Sequence, residues 1–144
     1  MMQRWTALIL STVLALMLLT PGPASAQGPI KIGVLQGVTG PFEVYAKQMI
    51  TGFKLGLEYG TGGKNELLGR KVEVLIEDDQ LKPDVSKRLI TKLYADDKVD
   101  LVVGTTSSAA ALAILPVAQE FKKLLIVEPA VADSITGANW NRYI

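Results

Sequence analysis

The segment Leu101-Val102-Val103-Gly104-Thr105-Thr106-Ser107-Ser108 is an apolar run that breaks at a glycine and continues into four hydroxyl residues and an alanine-rich stretch. This order predicts a strand, a sharp turn and the first turn of a helix. The free N–H groups of a first turn, the positive end of the helix dipole and a Ser or Thr cap together favour a carboxylate or a phosphate. Ser and Thr also cap helices for structural reasons alone, so this segment by itself supports either an anion site or an ordinary helix start.

The rest of the chain repeats the alternation of apolar strand and amphipathic helix. Strands are predicted at residues 30–35, 71–76, 101–103 and 124–127. Three helices are predicted between these strands. The first ends at the glycines from Gly60 to Gly63, the second starts at Pro83, and the third ends at about Phe121. Near-continuous apolar strands joined by helices predict an α/β fold, in which a parallel sheet carries helices on both faces.

In such a sheet, ligands bind beyond the carboxyl ends of the strands. Those ends are predicted at residues 36–45, 77–79, 105–108 and 128–134. The acidic end, Glu77-Asp78-Asp79, is typical of a solvated turn, with a magnesium site or a phospho-acceptor pocket as the alternative. Three of the four ends offer polar or aromatic groups, so we expect one crevice lined by several loops.

The first residues have the features of an export signal. Met1-Met2-Gln3-Arg4 carries one positive charge, the run from Trp5 to Leu19 is uncharged and mostly apolar, and Ala24-Ser25-Ala26 supplies small residues. These features predict a secretory signal peptide over residues 1–26, cleaved after Ala26, in preference to a membrane span. Because the chain has no cysteine, it has neither a disulfide nor a lipidated N-terminal cysteine. We expect a soluble periplasmic or secreted protein without a stable membrane anchor.

Composition argues against several other classes of protein. The chain has 15 Lys and Arg against 14 Asp and Glu, and cleavage after Ala26 removes the basic Arg4, so the mature chain is formally neutral. Acids and bases are interspersed, so no nucleic acid or anionic membrane partner is expected. The absence of His and Cys removes Ser-His and Cys-His nucleophiles and the common zinc ligand sets.

Nucleotide binding and catalysis have no motif in their favour. The glycines match neither the dinucleotide nor the phosphate-loop spacing. A small hydrolase that uses Ser107 or Ser108 with a lysine base has no supporting pattern either. We therefore expect a protein that is not an enzyme and that needs no cofactor and no metal.

Five short motifs occur in an order that resembles a known family. They are Ile30-Lys31-Ile32-Gly33, Thr39-Gly40-Pro41 with Tyr45 close behind, Asp78-Asp79 with Pro83, Gly104 before Ser107-Ser108, and Pro129-Ala130. Their order and spacing resemble type I periplasmic solute-binding proteins of the branched-chain amino acid class, which serve ABC importers. The resemblance implies a two-lobed protein that closes on a small molecule and delivers it to an ABC permease in the inner membrane.

The resemblance covers residues 27–144 as the N-terminal lobe and the approach to the hinge. Family members are well over twice this length, and Asn141-Arg142-Tyr143-Ile144 looks like the start of a strand. We therefore expect the chain to be a fragment, truncated near the hinge to the second lobe. A single lobe holds half a binding site and cannot close, so weak or no binding is expected of it alone.

The resemblance also implies site residues. Ser108 looks like the family's hydroxyl on the ligand carboxylate, and Ser107 and Thr106 line the same turn. Tyr45 resembles the aromatic residue that covers the ligand, although packing at a helix start is an equally ordinary role for a tyrosine. The next loop that touches the ligand corresponds to Ala130, Val131 and Ala132.

At Ala132 the sequence departs from the resemblance. Amino acid binders of the family usually have Thr or Ser at about this position, where its oxygen helps accept the ligand's ammonium, and alanine cannot accept that hydrogen bond. An ammonium left one acceptor short loses on the order of 1–3 kcal/mol. A carboxylate without an α-amino group, aromatic or aliphatic, is therefore a rival hypothesis to a branched-chain amino acid.

Two classes of protein fit the resemblance. One is a transport binding protein, and the other is the ligand-sensing extracellular domain of a receptor built on the same fold. A receptor continues into a membrane helix and a cytoplasmic output domain, whereas a transport protein does not.

Overall fold

The computed structural model describes residues 28–144, and the predicted signal peptide lies outside the described residues. Strands β1 to β5 occupy Ile30–Gln36, Glu66–Leu67, Arg70–Asp78, Leu101–Gly104 and Leu124–Ile126. Helices α1 to α3 occupy Glu43–Gly60, Pro83–Ala95 and Ser108–Phe121, and a 3-10 turn follows at Asp133–Ile135. Within residues 28–144, no helix combines the length and the apolar character that a membrane span requires.

The five strands form one sheet in the order β2-β3-β1-β4-β5. Strand β1 pairs in parallel with both β3 and β4, and β4 pairs in parallel with β5. After β1 the chain adds β3 on one side and then crosses over to add β4 on the other. In open α/β sheets the crevice for a ligand lies at such a change of direction, here beyond the carboxyl ends of β1 and β4.

Two apolar cores lie on opposite faces of the sheet. On one face, α2 and α3 bury a cluster that includes Leu35, Leu93 and Ile114. On the other face, Phe53 of α1 packs against a smaller cluster that contains Val34. The predicted α/β architecture, a mainly parallel sheet with helices on both faces, is confirmed.

The helix boundaries follow the predicted signals. Helix α2 starts at Pro83, where the missing N–H costs nothing, and it buries Leu89, Ile90 and Leu93 along one side. Helix α3 ends at Phe121, and Lys122 takes the left-handed conformation that terminates many helices, with φ of 54°.

The structure differs from the sequence-based expectation at two places. Strand β2, which was not predicted, pairs antiparallel with the start of β3, so the sheet is mixed. The turn between them has positive φ at Leu68 and Gly69, the geometry of tight hairpins. The expected strand at residues 141–144 is not formed; there the chain turns, and the Tyr143 carbonyl accepts a 2.8 Å hydrogen bond from the N–H of Leu125.

Candidate functional site

The hydroxyl turn, residues 105–108, joins β4 to α3 at the predicted crevice. Ser107 is the N-cap of α3, with extended backbone at φ −90° and ψ 128°, and its side chain accepts from the N–H of Ala110 at 3.5 Å. Gly104 and Thr105 are buried, whereas Ser107 and Ser108 are half-buried. The predicted order of strand, turn and capped helix is confirmed.

Ser108 connects the hydroxyl turn to the loop after β5. Its Oγ accepts hydrogen bonds from the N–H groups of Val131 and Ala132, each at 3.2 Å. A serine hydroxyl has two acceptor positions and one proton, so these two bonds occupy its acceptor capacity and leave the proton to donate. The N–H groups at the start of a helix also lack intrahelical acceptors. The arrangement therefore offers donors, which suit an anion rather than a cation.

Gln36 ties the hydroxyl turn to β1. Its side chain is fully buried; Oε1 accepts from the Thr106 hydroxyl, and Nε2 donates to the Glu128 carbonyl oxygen at 3.0 Å. Thr106 Oγ1 in turn accepts from the N–H of Gly37 at 3.4 Å. The Thr106 hydroxyl is thus engaged by the scaffold, while Ser107 and Ser108 keep a proton for a ligand. Gln36 is not among the predicted site residues, because its only signal in the sequence is that of a polar residue at the end of an apolar strand.

The acidic end of β3 supports two loops of the crevice. Asp78 Oδ1 accepts from the N–H groups of Val38 and Thr39, at 2.9 and 3.3 Å, and Oδ2 accepts from the Thr39 hydroxyl at 2.7 Å. Asp79 is fully buried and accepts from the Thr105 hydroxyl. The expectation of a solvated acidic turn is wrong at Asp79, because backbone and hydroxyl donors from neighbouring elements take the place of water.

Acid should loosen the loop after β1 through Asp78. Burial raises the pKa of this carboxyl, but hydrogen bonds from Thr39, Gln80 and Val38 outweigh burial and hold the pKa below its usual value. A carboxyl with a lowered folded-state pKa stabilises the protein above its unfolded pKa, near 4, and loses that contribution as the pH falls through the folded value. We expect Asp78→Asn to flatten the fall in the free energy of unfolding below about pH 4, measured by urea denaturation.

Thr39→Val provides the matched variant, since it keeps the carboxylate and removes one of its donors. It should weaken the acid dependence in part. An Asp78→Asn protein with the acid dependence of the parent would contradict the assignment.

Tyr45 lies in a groove between α1 and the ends of β4 and β5. The groove has a volume of about 610 Å³ and is open to solvent. It is lined by Tyr45, Gln48, Met49, Gly52, Phe53, Val103, Ile126, Glu128 and Pro129. Tyr45 is 60% exposed, and its ring meets that of Phe42 edge-on at a centroid distance of 6.2 Å. Glu128 supplies a carboxylate to this mainly apolar groove, and burial raises its pKa.

The structure brings some predicted site residues together and separates others. Ser108 contacts Val131 and Ala132 through the hydrogen bonds above, and Ala130 precedes them in the same loop. Tyr45 lies in the groove, whose lining includes neither Ser107 nor Ser108. Within residues 28–144, no group of three or more His, Cys, Asp or Glu is placed to hold a metal ion.

Nearly all of the described chain matches a known protein family. Residues 29–144 match the model of a family described as periplasmic binding protein. A curated relative, the Leu/Ile/Val-binding protein BraC3 of Rhizobium johnstonii, is 28% identical over 111 residues, which are 77% of this chain and 30% of the relative.

Two solved structures from Rhodopseudomonas palustris are similar to this chain. An ABC-type branched-chain amino acid transporter is 60% identical with a TM-score of 0.78, and the match covers 79% of this chain and 31% of that one. A solute-binding protein of an ABC transporter in complex with 3,4-dihydroxybenzoic acid is 34% identical with a TM-score of 0.69, covering 75% and 29%. This chain therefore spans about a third of the length of the relatives it matches.

Proposed function

The chain belongs to the periplasmic binding protein family, and from this premise we propose that residues 27–144 form the N-terminal lobe of an extracytoplasmic solute-binding protein. The whole protein captures a small solute that carries a carboxylate and delivers it to an ABC permease. The two solved structures are an ABC-type amino acid transporter and a solute-binding protein of an ABC transporter, and the curated relative is a Leu/Ile/Val-binding protein. They lend no support to the receptor alternative.

The observation that carries this proposal is the state of the Ser108 hydroxyl. Two N–H groups of the Ala130–Ala132 loop occupy its acceptor positions, so the group can only donate to a ligand. Ser107 and the N–H groups at the start of α3 add further donors on the same turn. A carboxylate matches this set of donors, whereas an ammonium does not.

Both ligand classes from the sequence hypothesis have support among the relatives. One relative is named for leucine, isoleucine and valine, and another is in complex with a dihydroxybenzoate. The two ligands share a carboxylate and differ in the α-ammonium. We propose that the carboxylate lies on the hydroxyl turn in either case, with Tyr45 covering the ligand from the first turn of α1.

A thermal-shift screen of the full-length protein tests the ligand class. The acids are leucine, isoleucine, 4-hydroxybenzoate and 3,4-dihydroxybenzoate, and the matched neutral compounds are leucinamide and 4-hydroxybenzamide. An acid at 100 times its Kd should stabilise the folded protein by about 2.7 kcal/mol. At least one acid should raise Tm while its amide does not. Equal shifts with an acid and its amide would overturn the role assigned to Ser108.

Restoring a hydroxyl at Ala132 should move the preference toward amino acids. Ala132 is half-buried and lies next to Ser108, so the hydroxyl of Ala132→Thr would add an acceptor for an α-ammonium. A gain of about 1 to 1.5 kcal/mol corresponds to a rise of about fivefold to tenfold in affinity for leucine relative to 4-hydroxybenzoate. Isothermal titration calorimetry measures both affinities.

Ala95→Thr is the control, because Ala95 is an exposed residue at the far end of α2. The ratio of the two affinities should stay constant in that variant. An Ala132→Thr protein with the parental ratio would show that Ala132 does not decide between the two ligand classes.

Export to the periplasm is the remaining part of the proposal. It rests on the predicted signal peptide at residues 1–26 and on the family of the chain. Mass spectrometry of the protein from a periplasmic extract should find a mature chain that begins at Gln27. A chain that retains Met1 in the cytoplasmic fraction would contradict it.

A further inference from the structure

Asp79 is a buried carboxylate that reaches across the end of β1. In the sheet, β1 lies between β3 and β4, so the last residue of β3 and the turn after β4 are not neighbours. Asp79 follows β3 directly, and its N–H donates to the Gln36 carbonyl at the end of β1 at 3.0 Å. Its Oδ2 accepts from the hydroxyl of Thr105, in the turn after β4. Asp79 therefore joins three strand ends at the crevice, β1 through its backbone N–H and the turn after β4 through its carboxylate.

The same carboxylate also contacts the start of α2. Oδ1 accepts from the N–H of Leu81 at 2.9 Å. The Ser86 hydroxyl lies 2.9 Å from Oδ2 and 2.8 Å from the Lys82 carbonyl, and its single proton serves one of these acceptors at a time. The salt bridges within residues 28–144 do not include Asp79. Hydrogen bonds, without a cation, compensate the burial of this carboxylate.

Such a group is costly to keep, because a buried carboxylate loses its hydration. Apolar residues of similar volume often stabilise a fold as well as a buried charge does. The specific contribution of Asp79 is to fix the orientation of the Thr105 hydroxyl. Thr105 is fully buried, and the fixed hydroxyl sets the orientation of the backbone from which Thr106, Ser107 and Ser108 follow.

We propose that Asp79 is a positioning residue for the ligand, acting through Thr105. It holds the hydroxyl turn so that the Ser107 and Ser108 donors and the first N–H groups of α3 point into the crevice. This inference rests on the proposed function, since it names a residue that shapes the proposed carboxylate site without touching the ligand. The two neighbouring carboxylates hold different loops: Asp79 binds the hydroxyl turn, and Asp78 binds the loop after β1.

Four substitutions in the full-length protein separate positioning from general stability. Asp79→Asn and Thr105→Val break the contact from its two sides, and Thr105→Ser preserves the hydroxyl. Ser86→Ala is the matched control, since it removes the other hydroxyl from the same Oδ2 without touching the hydroxyl turn. The affinities for leucine and 4-hydroxybenzoate are measured by calorimetry well below Tm, and Tm is measured for each variant.

The proposal predicts a split between affinity and stability. Asp79→Asn and Thr105→Val should weaken binding of the probe that the parent binds by about tenfold, the loss expected for about 1.4 kcal/mol. Thr105→Ser and Ser86→Ala should stay within about twofold of the parent affinity, even if Ser86→Ala lowers Tm as much as Thr105→Val. An affinity loss in Ser86→Ala equal to that in Thr105→Val would reduce Asp79 to a general structural role and overturn the proposal.

Hydrogen exchange of the ligand-free protein gives a second readout. The N–H groups of residues 106–112 should exchange faster in Asp79→Asn and Thr105→Val than in Ser86→Ala. If the parent binds neither probe, the proposed function fails for these ligands, and the exchange rates alone decide the positioning role. If Asp79→Asn does not fold, Thr105→Val and Thr105→Ser carry the comparison. If residues 106–112 exchange at the parental rate in Thr105→Val, the positioning role of Asp79 is overturned.

Discussion

Gly104→Ala is expected to lower the free energy of unfolding by about 3 kcal/mol, through overpacking and a strained backbone. A Cβ at Gly104 would overlap the carbonyl oxygen of Leu35, a backbone atom of the neighbouring strand that cannot move aside alone. Its φ of +155° is also one that residues with a side chain rarely adopt. Strands β1 and β4 would have to separate at their carboxyl ends, where the loop after β1 and the hydroxyl turn begin. Urea denaturation, monitored by circular dichroism, measures the loss.

Gly56→Ala is the matched control in the same protein. Gly56 lies in the interior of α1, is exposed, and has no atom within 4 Å of the position of an added Cβ. Alanine there should stabilise the protein by about 0.5–1 kcal/mol, because glycine loses more backbone freedom in a helix. The two substitutions should therefore act in opposite directions. Similar effects of both would contradict the close approach at Gly104.

Ser108→Ala is expected to weaken binding of the carboxylate ligand by about tenfold to a hundredfold, since hydrogen bonds to charged groups contribute roughly 1.5–3 kcal/mol. The variant loses the donor to the ligand and also the acceptor that holds Val131 and Ala132. The loop after β5 then loses its tie to the hydroxyl turn, so the loss exceeds that of one ligand contact. Calorimetry on the full-length protein with leucine and 4-hydroxybenzoate measures the affinity.

Thr91→Ala serves as the control for this experiment. Its hydroxyl donates to the Lys87 carbonyl within α2, and both residues are exposed. Binding should be unchanged in that variant. If Ser108→Ala binds the acids as tightly as the parent, the hydroxyl does not contact the carboxylate.

The layered architecture could be predicted because local patterns and tertiary packing agree in this chain. Apolar strands, the proline at the start of α2 and the hydroxyl cap of α3 each point to the element that forms. The hairpin of β2 and β3 could not be predicted in the same way. Its turn places Leu68 at φ 52°, a conformation that leucine rarely adopts, so the residue gives no turn signal.

The residues that face the crevice could be predicted from the sequence, whereas the buried residues that hold them in place could not. Ser107 and Ser108 are recognisable because helix starts have a local signature. Gln36 and Asp79 have none, since a polar residue after a strand usually faces solvent. Both are fully buried here, and each has hydrogen-bond partners in segments far along the chain. Such burial depends on the tertiary structure, which no local pattern encodes.

The Gln36 side chain has a consequence for the order in which the protein folds. It bonds to Thr106 and to the Glu128 carbonyl, which lie 70 and 92 positions later in the chain. Contacts of such long sequence separation form slowly, because a large loop must close before they contribute. A growing chain that has not yet reached residue 128 contains the residues of β1 and α1 but lacks the Glu128 carbonyl, which accepts from Gln36. We therefore expect ligands to favour the finished fold and to have little effect on the early steps that lead to it.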